Sequence, residues 1–167
     1  MESFTSTKAQ VWSIDFFVAI VILVGALFIF YQQGLFELNR QQQDINDLVL
    51  DAKVVSNYLV SAGYPANWTE SNVSLIGLTD GSLALDETKI DSFAALAAAD
   101  YTTSKHLLST SHNFEVFFED RTNATLTIHG VSRIGADYSA ADPDNVIRIV
   151  RFVSYNSEII KMVLYVW

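Results

Sequence analysis

Residues Phe16 to Tyr31 read FFVAIVILVGALFIFY, an unbroken apolar run that no other stretch of the chain matches. With Val11–Ile14 it offers about 20 positions, enough to cross ~30 Å of hydrocarbon as a helix rising 1.5 Å per residue. Such a run tethers the chain near its N-terminus and leaves roughly four-fifths of it on one side of a bilayer. Three fates are open to it. A cleaved signal would have a shorter apolar region and a small-residue cleavage site, whereas this run ends in Phe28, Ile29, Phe30 and Tyr31. The others are an uncleaved anchor and an anchor trimmed ahead of the run. Asp15 stands at its N-terminal end. A carboxylate costs about 2.5–3.5 kcal/mol at the bilayer centre and less near the interface, where the helix dipole also favours it.

Beyond the run the helix is expected to continue. Gln32–Asp44 is polar but helix-tolerant, with Gly34 its weak point and Asn39–Asp44 either a solvated neck or a local melt. Ile45, Leu48, Val49, Ala52, Val55 and Leu59 then recur at spacings of three and four, a helical apolar face. Gly63 and Pro65 stop it, giving one helix over about 12–62. Turn chemistry at Asp80-Gly81 marks 64–85 as loop, Asp86 N-caps a helix through Ile90, Phe93 and Ala94, and 101–108 forms a second short helix. From Phe114 the period changes to two. Phe114, Val116 and Phe118 alternate with Glu115, Phe117 and Glu119, and a turn leads to a partner strand through Leu126 and Ile128. After a loop over 133–145, strands 146–154 and 158–167 form a second pair around Tyr155-Asn156-Ser157. The expected fold is α+β, a long N-terminal transmembrane or assembly helix whose second half carries a roughly four-stranded antiparallel sheet.

Composition narrows the function. The net charge of −9 argues against nucleic acid, which demands basic patches, and against a polybasic grip on anionic lipid. The absence of cysteine removes disulfides, thiol catalysis and Cys-ligated metal. His106 and His112 are six apart, not the helical ligand spacing of four, and no HExxH, nucleophile elbow, P-loop or dinucleotide fingerprint occurs. Asp137, Asp142, Asp144 and Asn145 lack the spacing of a calcium loop and read as a polar turn. No enzyme, cofactor or metal is expected. Three N-x-[ST] triplets, at Asn67, Asn72 and Asn123, fall in expected loops and are candidate N-glycosylation sites.

Lys8-Ala9-Gln10, followed by Ser13, Asp15 and the Phe/Ile/Val/Leu run, resembles the class III signal of archaeal type IV pilin-like proteins. Ala62-Gly63-Tyr64-Pro65-Ala66-Asn67-Trp68-Thr69 with Ile76-Gly77-Leu78-Thr79 is similar to a pattern of the same archaeal membrane-anchored proteins, a family marker without catalytic meaning. The resemblance implies that a prepilin peptidase recognises Lys8, Ala9 and Gln10 and removes 1–9. It implies an assembly helix over 10–33, continued by an amphipathic helix over 34–62, and an extracellular α+β head over 63–167. Phe16, Phe17, Val21, Val24 and Phe28 would then pack among sister helices in a homo-oligomeric filament at the cell surface, drawn from the cytoplasmic membrane. Asp15, sixth from the cut where the family usually has Glu one position earlier, would meet the N-terminus of an incoming subunit. The alternative is a non-polymerising, membrane-anchored extracellular binding or accessory protein of an envelope or secretion complex.

Overall fold

The computed structural model describes the backbone of residues 6–167 and the side chains of residues 15–32 and 44–167. Two compact units divide between Asp44 and Ile45, within helix α1 (Ser6–Leu59). The first contains an apolar helical stretch over Asp15–Gln32. The second, Ile45–Trp167, holds the last turns of α1 together with α2 (Glu87–Ala99), α3 (Tyr101–Leu107), β1 (Phe114–Glu119), β2 (Thr125–Leu126), β3 (Arg133–Gly135), α4 (Tyr138–Ala141), β4 (Ile147–Tyr155) and β5 (Glu158–Val166). The protein is α+β, with one N-terminal apolar helix and an antiparallel sheet of five strands.

The apolar face expected over 45–59 is present. Leu48, Ala52, Val55 and Leu59 are buried in one core cluster with Phe93, Phe114, Phe118, Met162 and Leu164. Ile45 is exposed and Val49 only half-buried, so the face is narrower than its sequence spacing suggests. The α-helix ends at Leu59, three residues short of Ala62.

Aspartates start the shorter helices. Asp86 accepts from the backbone N–H of Thr88 and Lys89, Asp100 from Thr103, and Asp137 from Ser139 and Ala140. Each satisfies donors that a first helical turn leaves orphaned.

The strand order is β2-β1-β5-β4, with β3 also paired to β1. Expectation and structure differ in three places. The stretch read as loop, 133–145, contains β3 and α4. The strand through Leu126 and Ile128 is only two residues long, because the chain turns at His129 and Gly130, both with positive φ. The expected alternation in β1 is also absent, since all six residues are buried. Phe114, Val116 and Phe118 face the main core. Their alternates are covered from the other side: Arg133 lies 4.8 Å from the Phe117 ring, Tyr165 meets that ring edge-on, and Tyr138 of α4 packs on Tyr165 and Trp167. A strand buried on both faces carries no period-two signal. The β4–β5 turn was legible: Asn156 and Ser157 both have positive φ, as a two-residue hairpin that follows strand twist requires.

Candidate functional site

Every residue of the 18-residue stretch Asp15–Gln32 is exposed. Among the large apolar side chains exposure runs from 40% at Ile20 to 78% at Phe30, with Phe16, Phe17, Val21, Val24 and Phe28 in that range. A helix apolar all round with none of it covered is compatible with a membrane span or a signal sequence, since water disfavours the exposed apolar surface by ~25 cal/mol per Å². Asp15 is the carboxylate of that stretch. Lys8, Ala9 and Gln10, the implied processing residues, have side chains outside the described residues.

The sequence read as a family marker has a structural task. A helix leaves its last carbonyls without partners. Here Leu78 N donates to Leu59 O at 2.8 Å, Thr79 Oγ1 to Val60 O at 2.8 Å and Thr79 N to Ser61 O at 3.1 Å. Lys89 Nζ donates to Ala62 O at 2.8 Å and to Thr79 O at 2.7 Å. Lys89 is only 5% exposed. Its charge faces backbone oxygens at the negative end of α1, a placement the helix dipole favours. The Trp68 indole is buried and donates to Gly77 O at 2.9 Å, closing the loop over the same point. A Cβ on Gly77 would run into Gly63 N and Ser61 O, so the two backbones meet only because residue 77 has no side chain. Gly63, at φ +72°, makes the turn. Sequence reasoning missed Lys89, although it stands four residues before Phe93 on the buried face of α2.

The three glycan candidates occupy two loops. Asn67 is exposed and its side chain makes no hydrogen bond among the described residues. Asn72 is exposed too, but its Oδ1 accepts from Thr69 N at 2.6 Å and from Thr69 Oγ1 at 3.2 Å, tying together the two neighbouring triplets. Asn123 sits at φ +66° in the β1–β2 turn, with Lys161 donating to its Oδ1.

The titratable groups form separate pairs. Asp51 Oδ2 is 2.8 Å from His112 Nδ1 and accepts from Thr110 Oγ1 at 3.0 Å, linking α1 to the segment before β1. His129 Nδ1 bonds Asp91 Oδ2 on α2, and that hydrogen bond, with the Asp91 charge, raises the imidazole above its usual pKa. Asp80, Asp100 and Asp120 are held below the usual carboxylate range, first by hydrogen bonds from Ser82, Thr103 and Thr122 respectively. Arg133 bonds the buried Glu115 at 2.7 Å, which raises the guanidinium further. His106 belongs to α3, and Asp137 and Asp142 cap the two ends of α4. An open cleft of about 290 Å³ lies between Leu126–Ile128 and the β4–β5 turn, with Glu158 its one carboxylate. Comparison with protein-family models, with curated proteins and with solved structures finds no match.

Proposed function

We propose that the chain is a structural, pilin-like subunit of an archaeal type IV pilus-like surface filament. The observation that carries the reading is the stretch Asp15–Gln32, apolar on every side and uncovered throughout. Cleavage between Ala9 and Gln10 frees the new N-terminus. The helix then leaves the bilayer and bundles with sister helices through Phe16, Phe17, Val21, Val24 and Phe28, exchanging lipid contacts for close packing. Asp15 pairs with the incoming α-amino group and sets axial register, because a carboxylate in an apolar bundle seeks a cation. The second half of α1 backs the sheet, and the head faces outward with Asn67, Asn72 and Asn123 as candidate glycan sites, Asn67 the least engaged of them. Burial of Leu48, Ala52, Val55 and Leu59 in the head core, and the tie between the end of α1 and Leu78–Thr79, support a head that includes the last turns of α1.

A second reading, a tethered binding or accessory protein that never polymerises, is favoured by the position of Asp15, one residue beyond the family spacing. The intact mass of the chain from native membranes and surface fractions decides between them. A chain beginning at Gln10 and found in high-mass assemblies supports the filament. A chain beginning at Met1 and extracted as a small detergent-soluble species supports the tether.

A further inference from the structure

The sheet has an open edge. Ser154 N donates to Leu83 O and Leu85 N donates to Ser154 O, each at 2.9 Å, so Ser154 turns its backbone groups away from β5. Backbone direction alternates along a strand. Arg148, Val150 and Phe152 therefore point their N–H and C=O groups the same way, and among the described residues these groups have no backbone partner. The chain itself covers this edge only with one isolated parallel bridge, Ala84 to Ser154. Of the next positions along β4, Phe152 is 64% exposed, Arg148 is exposed and Val150 is half-buried.

The edge also carries a charge unlike the rest of the chain. Ile147–Tyr155 contains Arg148 and Arg151 and no acid, in a chain of net charge −9. Arg151 is held by neutral groups, with Nε and Nη2 on Ser56 Oγ at 3.2 and 2.9 Å and Nη2 on Asn57 Oδ1 at 2.7 Å. Among the described residues its Nη1 has no partner and no acid pairs with it. Arg148 Nη2 pairs with both carboxylate oxygens of the buried Glu119, at 3.2 and 3.5 Å, while its side chain stays 45% exposed. Charges on an edge strand repel like-charged strands. Arg151 without an acidic partner, and the exposed Arg148 with donors beyond its Glu119 pair, admit a strand of opposite sign, because opposite charges across a pair stabilise it.

The geometry points to β4 as the docking edge for an extended acidic strand of a partner protein, lying beyond the bridge that Ala84 makes with Ser154. In an antiparallel pairing the partner places carboxylates opposite Arg148 and Arg151, three residues apart and on opposite faces, with apolar side chains opposite Val150 and Phe152. This surface is independent of the filament assignment: a chain beginning at Met1 would carry the same edge.

The test uses the full chain in detergent micelles and fluorescence anisotropy of a labelled peptide, TVEVTET, which has that pattern. Saturable binding, at least tenfold weaker for TVKVTKT, is the expected result. Val150→Pro removes one outward N–H, a change edge strands tolerate, and should weaken binding at least tenfold with an unaltered circular dichroism spectrum. Reversing both charges, Arg148→Glu with Arg151→Glu, should switch the preference to TVKVTKT even if the proline variant proves misfolded. Failure of TVEVTET to bind, equal binding of the two peptides, or full binding by a folded Val150→Pro variant would overturn the assignment. So would efficient cross-linking of Val150→Cys to itself by a short bifunctional maleimide without peptide, which would give the edge to a second copy; the cysteine-free background makes that readout specific.

Discussion

Gly77 shows how a single residue fixes a junction. Its φ is unremarkable and its importance is one of space: a methyl group there strikes the backbone of Gly63 and Ser61. Gly77→Ala should destabilise the head by about 3 kcal/mol, the upper range for overpacking, seen as a lower denaturant midpoint at unchanged slope. Gly130, equally glycine, has open space at its Cβ and is needed only for its φ of +88°. Nothing in the sequence separates the two cases. The pattern containing Gly77 could be noticed, but its reason required knowing that the end of α1 would come to Leu78. Lys89 was illegible for a related reason. A lysine reads as solvent-facing, and only the convergence of Ala62 O and Thr79 O makes a buried ammonium tolerable. His129 supplies a pH dependence at the same scale. Its pKa is raised in the folded head, so the Asp91 pair contributes fully below the unfolded value of about 6.5 and is lost as pH rises through the higher folded value. The thermal midpoint of the wild type should therefore fall slightly from pH 6 to pH 8, and the fall should be smaller in His129→Gln.

Elements were legible where a local rule determined them. Asp86 announces α2 because a carboxylate ahead of a helical pattern has few other uses, and it does accept from Thr88 and Lys89. Asp86→Ala should cost about 1 kcal/mol of head stability in equilibrium unfolding. The β4–β5 hairpin was equally clear from its turn. Elements whose existence depends on distant partners were not. β3 is three residues long, and its pairing of Val116 with Ile134 forms only after β1 is in place. The alternating reading of β1 missed the cover that Tyr138, Tyr165 and Arg133 provide, because nothing local to FEVFFE indicates that the far face will be roofed.

For the whole molecule, the apolar helix was the most legible feature and is the one on which the proposed function turns. Its composition alone requires an apolar environment, and its exposure in an isolated chain agrees with that. If assembly proceeds as proposed, Asp15→Ala should abolish filaments in electron micrographs of the cell surface while the protein still fractionates with membranes. Normal filaments in that variant would remove Asp15 from the mechanism. The glycan triplets were all visible in the sequence, but their inequality was not. Only the fold shows that Asn72 is engaged with Thr69 while Asn67 stands free.

The tie at the end of α1 also has a mechanical meaning. In the proposed filament, a pull on the head would also load the end of α1 inside it. There Leu78, Thr79 and Lys89 between them hold four successive carbonyls, from Leu59 to Ala62, so such a load would be shared among several bonds. The same grip makes the last turn of α1 part of the head under strain: to peel the helix away, the Trp68 loop and the start of α2 must come with it.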